Sequence, residues 1–473
     1  MDYQKKLSND HIQLHIAVFP WLAQGHLIPF LRVSNFLAHK GHRISFISTP
    51  KNLRRLPNNF IPSNLSHLIT LVELPLPPVD GLPDGAESTA DLPIHKVPFL
   101  KKAFDELQPG LTQFLEGQVI NWIVHDFACY WLPRVAGRLG IKLAYFSIVN
   151  ASTMSFMGPP SELVSGYRSR PEDFTVVPKW WKEMPYEVTF KLHEMECHWD
   201  CMDSDVSDFQ RLKEVVQGCH LLVTRTCPEF EPESLSLLKT LYKKPVLPIG
   251  LLPPSEPRED GDERWEVLKQ WLNRKKDNSV VYIALGSELS LGQESMHELA
   301  SGIEKSGLPF IWVINDRPMV EGRLGSDIIP SGFETRVSDR GLVWRGWAPQ
   351  LGILAYPSIG GFLTHCGWSS VIEGLGFGRA LILFPGGNSD IGLVARQLHN
   401  RGIGLEIPRD DRNGSFTSDS VAETIRRVMV DKDGEELRAQ ARGMRDIFGN
   451  VEMQNKHLNE FAEFLVRGTS SEL

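Results

Sequence analysis

A chain of 473 residues exceeds one ordinary core, so two domains are the default reading. Its 42% hydrophobic and 23% charged content are those of a water-soluble globular protein, with no run of about 18 apolar residues to cross a membrane. The net charge of −8, with no basic block long enough to follow a phosphate backbone, argues against nucleic acid as a partner.

The opening MDYQKKLSND lacks the apolar centre of a signal peptide. Six sparse cysteines (Cys129, Cys197, Cys201, Cys219, Cys227 and Cys366) read as reduced thiols, so a cytoplasmic location is expected. The glycosylation-like triplets at Asn64, Asn150 and Asn413 then read as chance matches.

Short β-branched or aromatic runs alternate with longer helical stretches. Strands are expected at 14–19, 43–49, 122–126, 143–149 and 221–226, and again at 280–285, 310–314, 342–347, 361–366, 381–385 and 402–407. Runs that are apolar throughout and separated by helices imply parallel sheets buried on both faces. Two such series predict an α/β protein of two doubly wound, Rossmann-like domains. The stretch PVLPIGLLPPSEPREDGDE (245–263) turns from proline-rich to charged and reads as a linker. The expected division is 1–250, a linker at 251–262, a second domain at 263–450 and a final helix at 451–473. A long irregular segment at 158–187 is of the kind that carries function on a rigid scaffold.

HCGWSSVIEG (365–374) lies where a buried strand turns into a helix. Ser369 and Ser370 are expected as N-capping hydroxyls, with Gly367 permitting close approach of a ligand. Zinc is disfavoured, since one histidine and one adjacent cysteine cannot complete a tetrahedral set. Cys366 ends a buried strand, where cysteine behaves as a small hydrophobe rather than a nucleophile. Two readings remain from the local pattern: an anion-binding turn, with His365 donating a further hydrogen bond, and a purely structural turn.

From Trp347 to Ile391, WAPQLGILAYPSIGGFLTHCGWSSVIEGLGFGRALILFPGGNSDI resembles the donor-sugar signature of plant family-one UDP-dependent glycosyltransferases. The two-domain plan is similar to that family's GT-B fold, two Rossmann-like domains facing each other across a cleft. The resemblance implies an acceptor-binding first domain, a UDP-sugar-binding second domain and a final helix packing back toward the first. It implies Trp347 against uracil, Gln350 at uracil or ribose, His365, Ser369 and Ser370 at the diphosphate, and Glu373 on the ribose hydroxyls. Ala348, Gly367 and Trp368 accompany them. Gly286 and Ser287 in ALGSE (284–288) resemble the family's other diphosphate contact.

FPWLAQGHLIPFL (19–31) presents His26 after the first strand, and WIVHDFACYW (122–131) presents Asp126 after another. Alone, such a histidine is more often just a polar loop residue. With an aspartate on its far nitrogen it is suited to act as a base near neutral pH, and the pair resembles the family's His–Asp dyad. His125 is a rival for the second role but points to the opposite face of its strand from Asp126. The reaction so implied is a single inverting displacement without metal or cofactor, the UDP-sugar serving as co-substrate.

The family signature normally ends in Asp or Glu followed by Gln. Counted from Trp347 the pair falls on Ser389 and Asp390; counted back from Ala395 and Arg396 it falls on Asp390 and Ile391. Either way the glutamine is missing, and Ser369 replaces a usual Asn. Loss of an amide removes hydrogen bonds to a glucose hydroxyl, and Ile391 would suit a deoxy carbon, so UDP-rhamnose is an expected donor to be weighed beside UDP-glucose.

FPWLAQGHLIPFL, GLPDGAEST (81–89), LLPPSEP (251–257) and ALGSE together resemble the branch-forming subgroup, which adds a sugar to the sugar of a flavonoid, terpenoid or steroid glycoside. A small hydrophobic glycoside is thus the expected acceptor and a monomer the expected state. Trp131, Trp180 and Trp181 are candidate stacking walls or core aromatics. HEMECHWDC (193–201) is set aside as a metal site for lack of any supporting set. The alternatives are a glucosyltransferase acting directly on an aglycone and a non-catalytic UDP-sugar binder, which would not need the His26–Asp126 pair.

Overall fold

The computed structural model describes residues 12–57, 60–164, 168–200, 205–253, 263–286, 289, 291–314, 329–386 and 390–470. The chain forms two units. One comprises Met1–Ser169, Trp199–Leu252 and Glu452–Leu473; the other comprises Arg170–His198 and Pro253–Val451.

The first unit holds a seven-stranded sheet of β1 (His15–Phe19), β2 (Arg43–Ser48), β3 (Ile69–Glu73), β4 (Trp122–His125), β5 (Lys142–Ser147), β6 (Leu221–Thr224) and β7 (Val246–Pro248). Its order is β3-β2-β1-β4-β5-β6-β7, and the paired neighbours run parallel. The continuous apolar runs are explained by two covered faces. Ala17 and Phe19 enter one apolar layer with Ile123 and Tyr145, while Ile16 and Val18 enter the other with Val124 and Phe146. The second layer is completed by the last helix, Val451–Ser470, through Leu458, Phe461 and Leu465. That helix is also fixed by polar bonds, since the Trp122 indole N–H donates to Leu465 O at 3.0 Å and the Leu251 N–H donates to Gln454 Oε1 at 2.6 Å.

The second unit repeats the pattern with six strands: β8 (Val280–Ala284), β9 (Phe310–Ile314), β10 (Gly341–Arg345), β11 (Ile359–Thr364), β12 (Ala380–Leu383) and β13 (Gly404–Glu406). The order is β10-β9-β8-β11-β12-β13, again parallel. Two Rossmann-like sheets with helices are therefore present.

The structure departs from the sequence expectation in three respects. β3 and β7 were not anticipated: β3 is an edge strand with three exposed residues of five, so its pattern is mixed. β7 lies inside the proline-rich stretch read as linker; its Pro248 is tolerated because β7 is also an edge. Lastly, Arg170–His198 belongs to the second unit although 1–250 was expected to be one domain. The physical cause is a set of polar bonds to the helix Ile391–Asn400, among them Arg396 Nε donating to Thr189 O at 3.2 Å.

Candidate active site

In the first sheet the strand order reverses between β1 and β4. Crossovers leaving these neighbours go to opposite sides, which opens a crevice at their carboxyl ends. His26 and Asp126 are both presented there. β1 ends at Phe19, and His26 lies in the first turn of the helix Gln24–His39; β4 ends at His125, one residue before Asp126. His26 Nδ1 is 2.7 Å from Asp126 Oδ2. Asp126, only 2% exposed, accepts from the Trp21 N–H at 3.0 Å on the same oxygen and from the Phe127 N–H at 2.8 Å on the other. One carboxylate thus ties together the loops after β1 and β4 and orients the imidazole. With Nδ1–H donating to Asp126, the Nε2 lone pair of His26 is the basic one.

His125 lies on the other side of its strand from this pair. Its ring is fully buried, 5.9 Å from Tyr145, with Nδ1 3.0 Å from the Asp126 carbonyl oxygen. Burial lowers its pKa to about 4, so it is a neutral core residue.

The second sheet reverses between β8 and β11, and the turn at 365 sits at that reversal. After β11, Cys366 adopts a left-handed conformation (φ 71°) that swings the strand into the helix Trp368–Gly376. Its thiol is buried and pushed well above its usual pKa by that burial, which suits a core residue and not a nucleophile. Gly286, just past β8 at φ 75°, and Gly367 flank the His365 ring. A Cβ at Gly286 would stand 2.7 Å from His365 Cε1 and Nε2, and one at Gly367 2.5 Å from Nε2. The two glycines are thus required for the imidazole to occupy this position. His365 Nδ1 is sealed from solvent without a partner among the described residues, and burial lowers the ring's pKa to about 4. A buried polar nitrogen of this kind is costly unless a ligand meets it.

The N-cap of this helix is Gly367, with no side-chain cap. Ser369 and Ser370 are therefore its second and third residues, not N-caps as the spacing suggested. The shift arises because the chain turns at Cys366, two residues earlier than a cap at Ser369 would need. Trp368 is buried against Phe448 at 6.0 Å, so its indole is a core group and only its backbone belongs to the turn. Ser287 and Ser389 lie outside the described residues.

Trp347 follows β10 and is 69% exposed, the one aromatic among the described large apolar residues that stand open to solvent. The Trp344 indole holds its backbone, donating to Trp347 O at 2.9 Å. Two residues after Ala348, Gln350 opens a helix and donates through Nε2 to Glu373 Oε2 at 2.7 Å. The Tyr282 hydroxyl on β8 lies 3.2 Å from Gln350 Oε1. Tyr282 escaped the sequence reading because it looks like any inward strand residue. An open ring beside a fixed amide–carboxylate pair is suited to a flat base and a diol. Asp390 is the N-cap of the helix Ile391–Asn400, and Ile391 is its first residue.

Other candidates resolve differently. Trp131 packs 6.2 Å from Phe19, and Trp181, 2% exposed, donates to Tyr186 O at 2.7 Å; neither buried ring offers a stacking face. Trp180 is half-buried. His193 Nδ1 contacts Asp411 O at 3.2 Å, while the side chains of Cys197 and His198, and Cys201 altogether, lie outside the described residues. Asn150 is a fully buried N-cap accepting from the Thr153 N–H at 2.9 Å, which rules it out as a glycan acceptor. Among the described residues no helix is long and apolar enough to cross a membrane.

Residues 184–436 match the family described as UDP-glucoronosyl and UDP-glucosyl transferase, and the chain belongs to that family as an enzyme of the plant family-one, UDP-dependent type. It is 50% identical to UDP-glycosyltransferase 91C1 of Arabidopsis thaliana over 465 residues, covering 97% of this chain and 98% of that one. A branch-forming relative, the anthocyanidin-3-O-glucoside rhamnosyltransferase of Petunia hybrida, is 31% identical over 468 residues, 97% of each chain. Among solved structures, Arabidopsis thaliana UGT89C1 complexed with UDP-L-rhamnose has a TM-score of 0.72 at 25% identity, covering 96% of this chain and 100% of that one. The fold is accordingly GT-B.

Two outcomes are expected. Gly286→Ala should weaken UDP binding about tenfold or more in calorimetry, because a φ of 75° strains an alanine backbone and its Cβ would meet the His365 ring. The second concerns pH. His125 and His365 have folded pKa values near 4 against the usual 6.5, so the unfolded chain binds more protons between those limits. Stability should therefore be at its full value above pH 6.5 and fall progressively toward pH 4, as followed by the thermal midpoint; His125→Phe should flatten the fall.

Proposed function

We propose that the enzyme transfers rhamnose or glucose from its UDP-sugar to a hydroxyl on the sugar of a flavonoid, terpenoid or steroid glycoside, with His26 as base and Asp126 as its partner. The observation that carries the catalytic half of this reading is the 2.7 Å His26–Asp126 pair at the reversal of the first sheet. The acceptor O–H gives its proton to His26 Nε2 while its oxygen bonds to the anomeric carbon. The bond from that carbon to the diphosphate oxygen breaks, the configuration inverts and UDP leaves. Asp126 holds the tautomer and stabilises the imidazolium that forms. No metal or further cofactor enters the scheme.

The donor site of the proposal comprises Trp347, Ala348 and Gln350 at the base, Glu373 at the ribose, and Gly286, Ser287, His365, Gly367, Ser369 and Ser370 at the diphosphate. The Trp368 backbone continues that turn. Asp390 and Ile391 meet the sugar. What supports rhamnose is Ile391 in place of an amide, together with the rhamnosyltransferase activity for which the Petunia relative is named and the UDP-L-rhamnose bound by UGT89C1. The surviving carboxylate of Asp390 supports the second donor, glucose. The acceptor class rests on the subgroup motifs and on the glucoside named for the Petunia enzyme.

The test is UDP release from UDP-glucose, UDP-rhamnose, UDP-xylose and UDP-galactose against flavonoid and saponin monoglucosides and their aglycones. UDP-rhamnose should turn over fastest, with Ile391→Gln moving the preference toward UDP-glucose. UDP-glucose winning outright would overturn the donor reading, and faster aglycone turnover the acceptor reading. His26→Ala and Asp126→Asn should each lower kcat by about a hundredfold to ten-thousandfold with the Kd for UDP unchanged. A wild-type kcat in either variant would remove that residue from the chemistry.

A further inference from the structure

The segment Arg170–His198 carries a buried charge cluster for which the chemistry above has no use. Glu194 is 8% exposed and pairs with Arg396 Nη2; Arg396 Nη1 pairs with Glu406 Oε1 at 2.7 Å. Lys191 adds its Nζ to Glu406 Oε1 at 3.2 Å, and its backbone N–H donates to Glu194 Oε2 at 2.9 Å. Further bonds fasten the same segment to the same helix: Gln397 Nε2 to the Tyr186 hydroxyl at 3.1 Å, and Asn400 Nδ2 to Glu187 O at 2.5 Å.

The position of this cluster matters more than its strength. A buried ion pair adds little net stability over an apolar replacement, yet it imposes one geometry. A Cβ at Gly392 would lie 2.3 Å from Glu194 Oε2 and 2.4 Å from Arg396 Nη2, so the pair fills the space directly over the first helical turn. That turn begins at Asp390 and Ile391. The other root of the same loop is held as well: Arg409 Nη1 bonds to Pro385 O, and the charges of Glu194 and Glu406 act on Arg409.

We propose that Glu194, far upstream of the signature, is a positioning residue for donor-sugar selection: through Arg396 it sets where Asp390 and Ile391 stand. This rests on the assignment of those two residues to the sugar. A charge-removing change leaves Arg396 and Arg409 facing Glu406 alone while Lys191 keeps both Glu406 and Asp411, and the helix start loses its fixed position.

The test measures kcat/KM for UDP-rhamnose and UDP-glucose, and the Kd for UDP, in Glu194→Gln, Glu194→Asp, Gly392→Ala and Asp390→Ala. Glu194→Gln should shift the ratio of the two kcat/KM values about tenfold with the UDP Kd unchanged, and Glu194→Asp should shift it less. Gly392→Ala, which displaces the carboxylate without removing it, should move the ratio in the same direction and keeps the test open if Glu194→Gln does not fold. A ratio held within about twofold while both constants fall together would make Glu194 merely structural and overturn the proposal. If Asp390→Ala shifts the ratio and the Glu194 and Gly392 variants do not, only this proposal falls. If Asp390→Ala leaves both constants unchanged, the sugar assignment falls and this proposal with it.

Discussion

The reversal of strand order within each parallel sheet is the constraint from which the rest follows. A parallel sheet needs right-handed crossovers, and a series that starts in the middle and winds both ways must send neighbouring crossovers to opposite faces. At that one seam the carboxyl ends of two strands are left uncovered by their own helices. β1 and β4 form the seam of the first unit, β8 and β11 that of the second. His26 and Asp126, a hundred residues apart, meet at one; Gly286 and His365 meet at the other.

Burial then sets the chemistry available at each seam. In the first, a single carboxylate with three donors organises two loops and one imidazole, so structural and chemical roles fall on the same atoms. In the second, the imidazole of His365 is neutral and enclosed, and glycines replace side chains wherever bulk would reach it. A neutral ring there can donate one hydrogen bond without carrying a charge into a buried site. The left-handed Cys366 costs about 1–2 kcal/mol of backbone strain by general measure, and it makes the abrupt change from strand to helix possible.

The sheets were legible in the sequence because residues buried on both faces must be apolar in succession, a pattern no helix or loop imitates over eleven segments. β3 and β7 were not, since an edge strand has one open side and no such obligation. Asp126 and His365 were legible because polar groups directly after buried strands are conspicuous, whereas His26 and Glu373, which lie within helices, were legible through the family's motifs. Ser369 and Ser370 were misjudged as caps because cap positions depend on where the turn begins, and φ at Cys366 is not written in residue type. The cluster of Glu194, Arg396 and Glu406 was invisible: charges separated by two hundred residues acquire a relation only through folding.

The interleaving of the two units has a consequence for how such chains can be recombined. A chimera joined at the linker near residue 250 looks like a clean exchange of halves. Yet Arg170–His198 would travel with the first parent while Arg396 and Glu406 came from the second. The junction that respects the folding units has four cuts, not one, and a two-piece hybrid inherits a buried carboxylate and a buried guanidinium chosen by different ancestors.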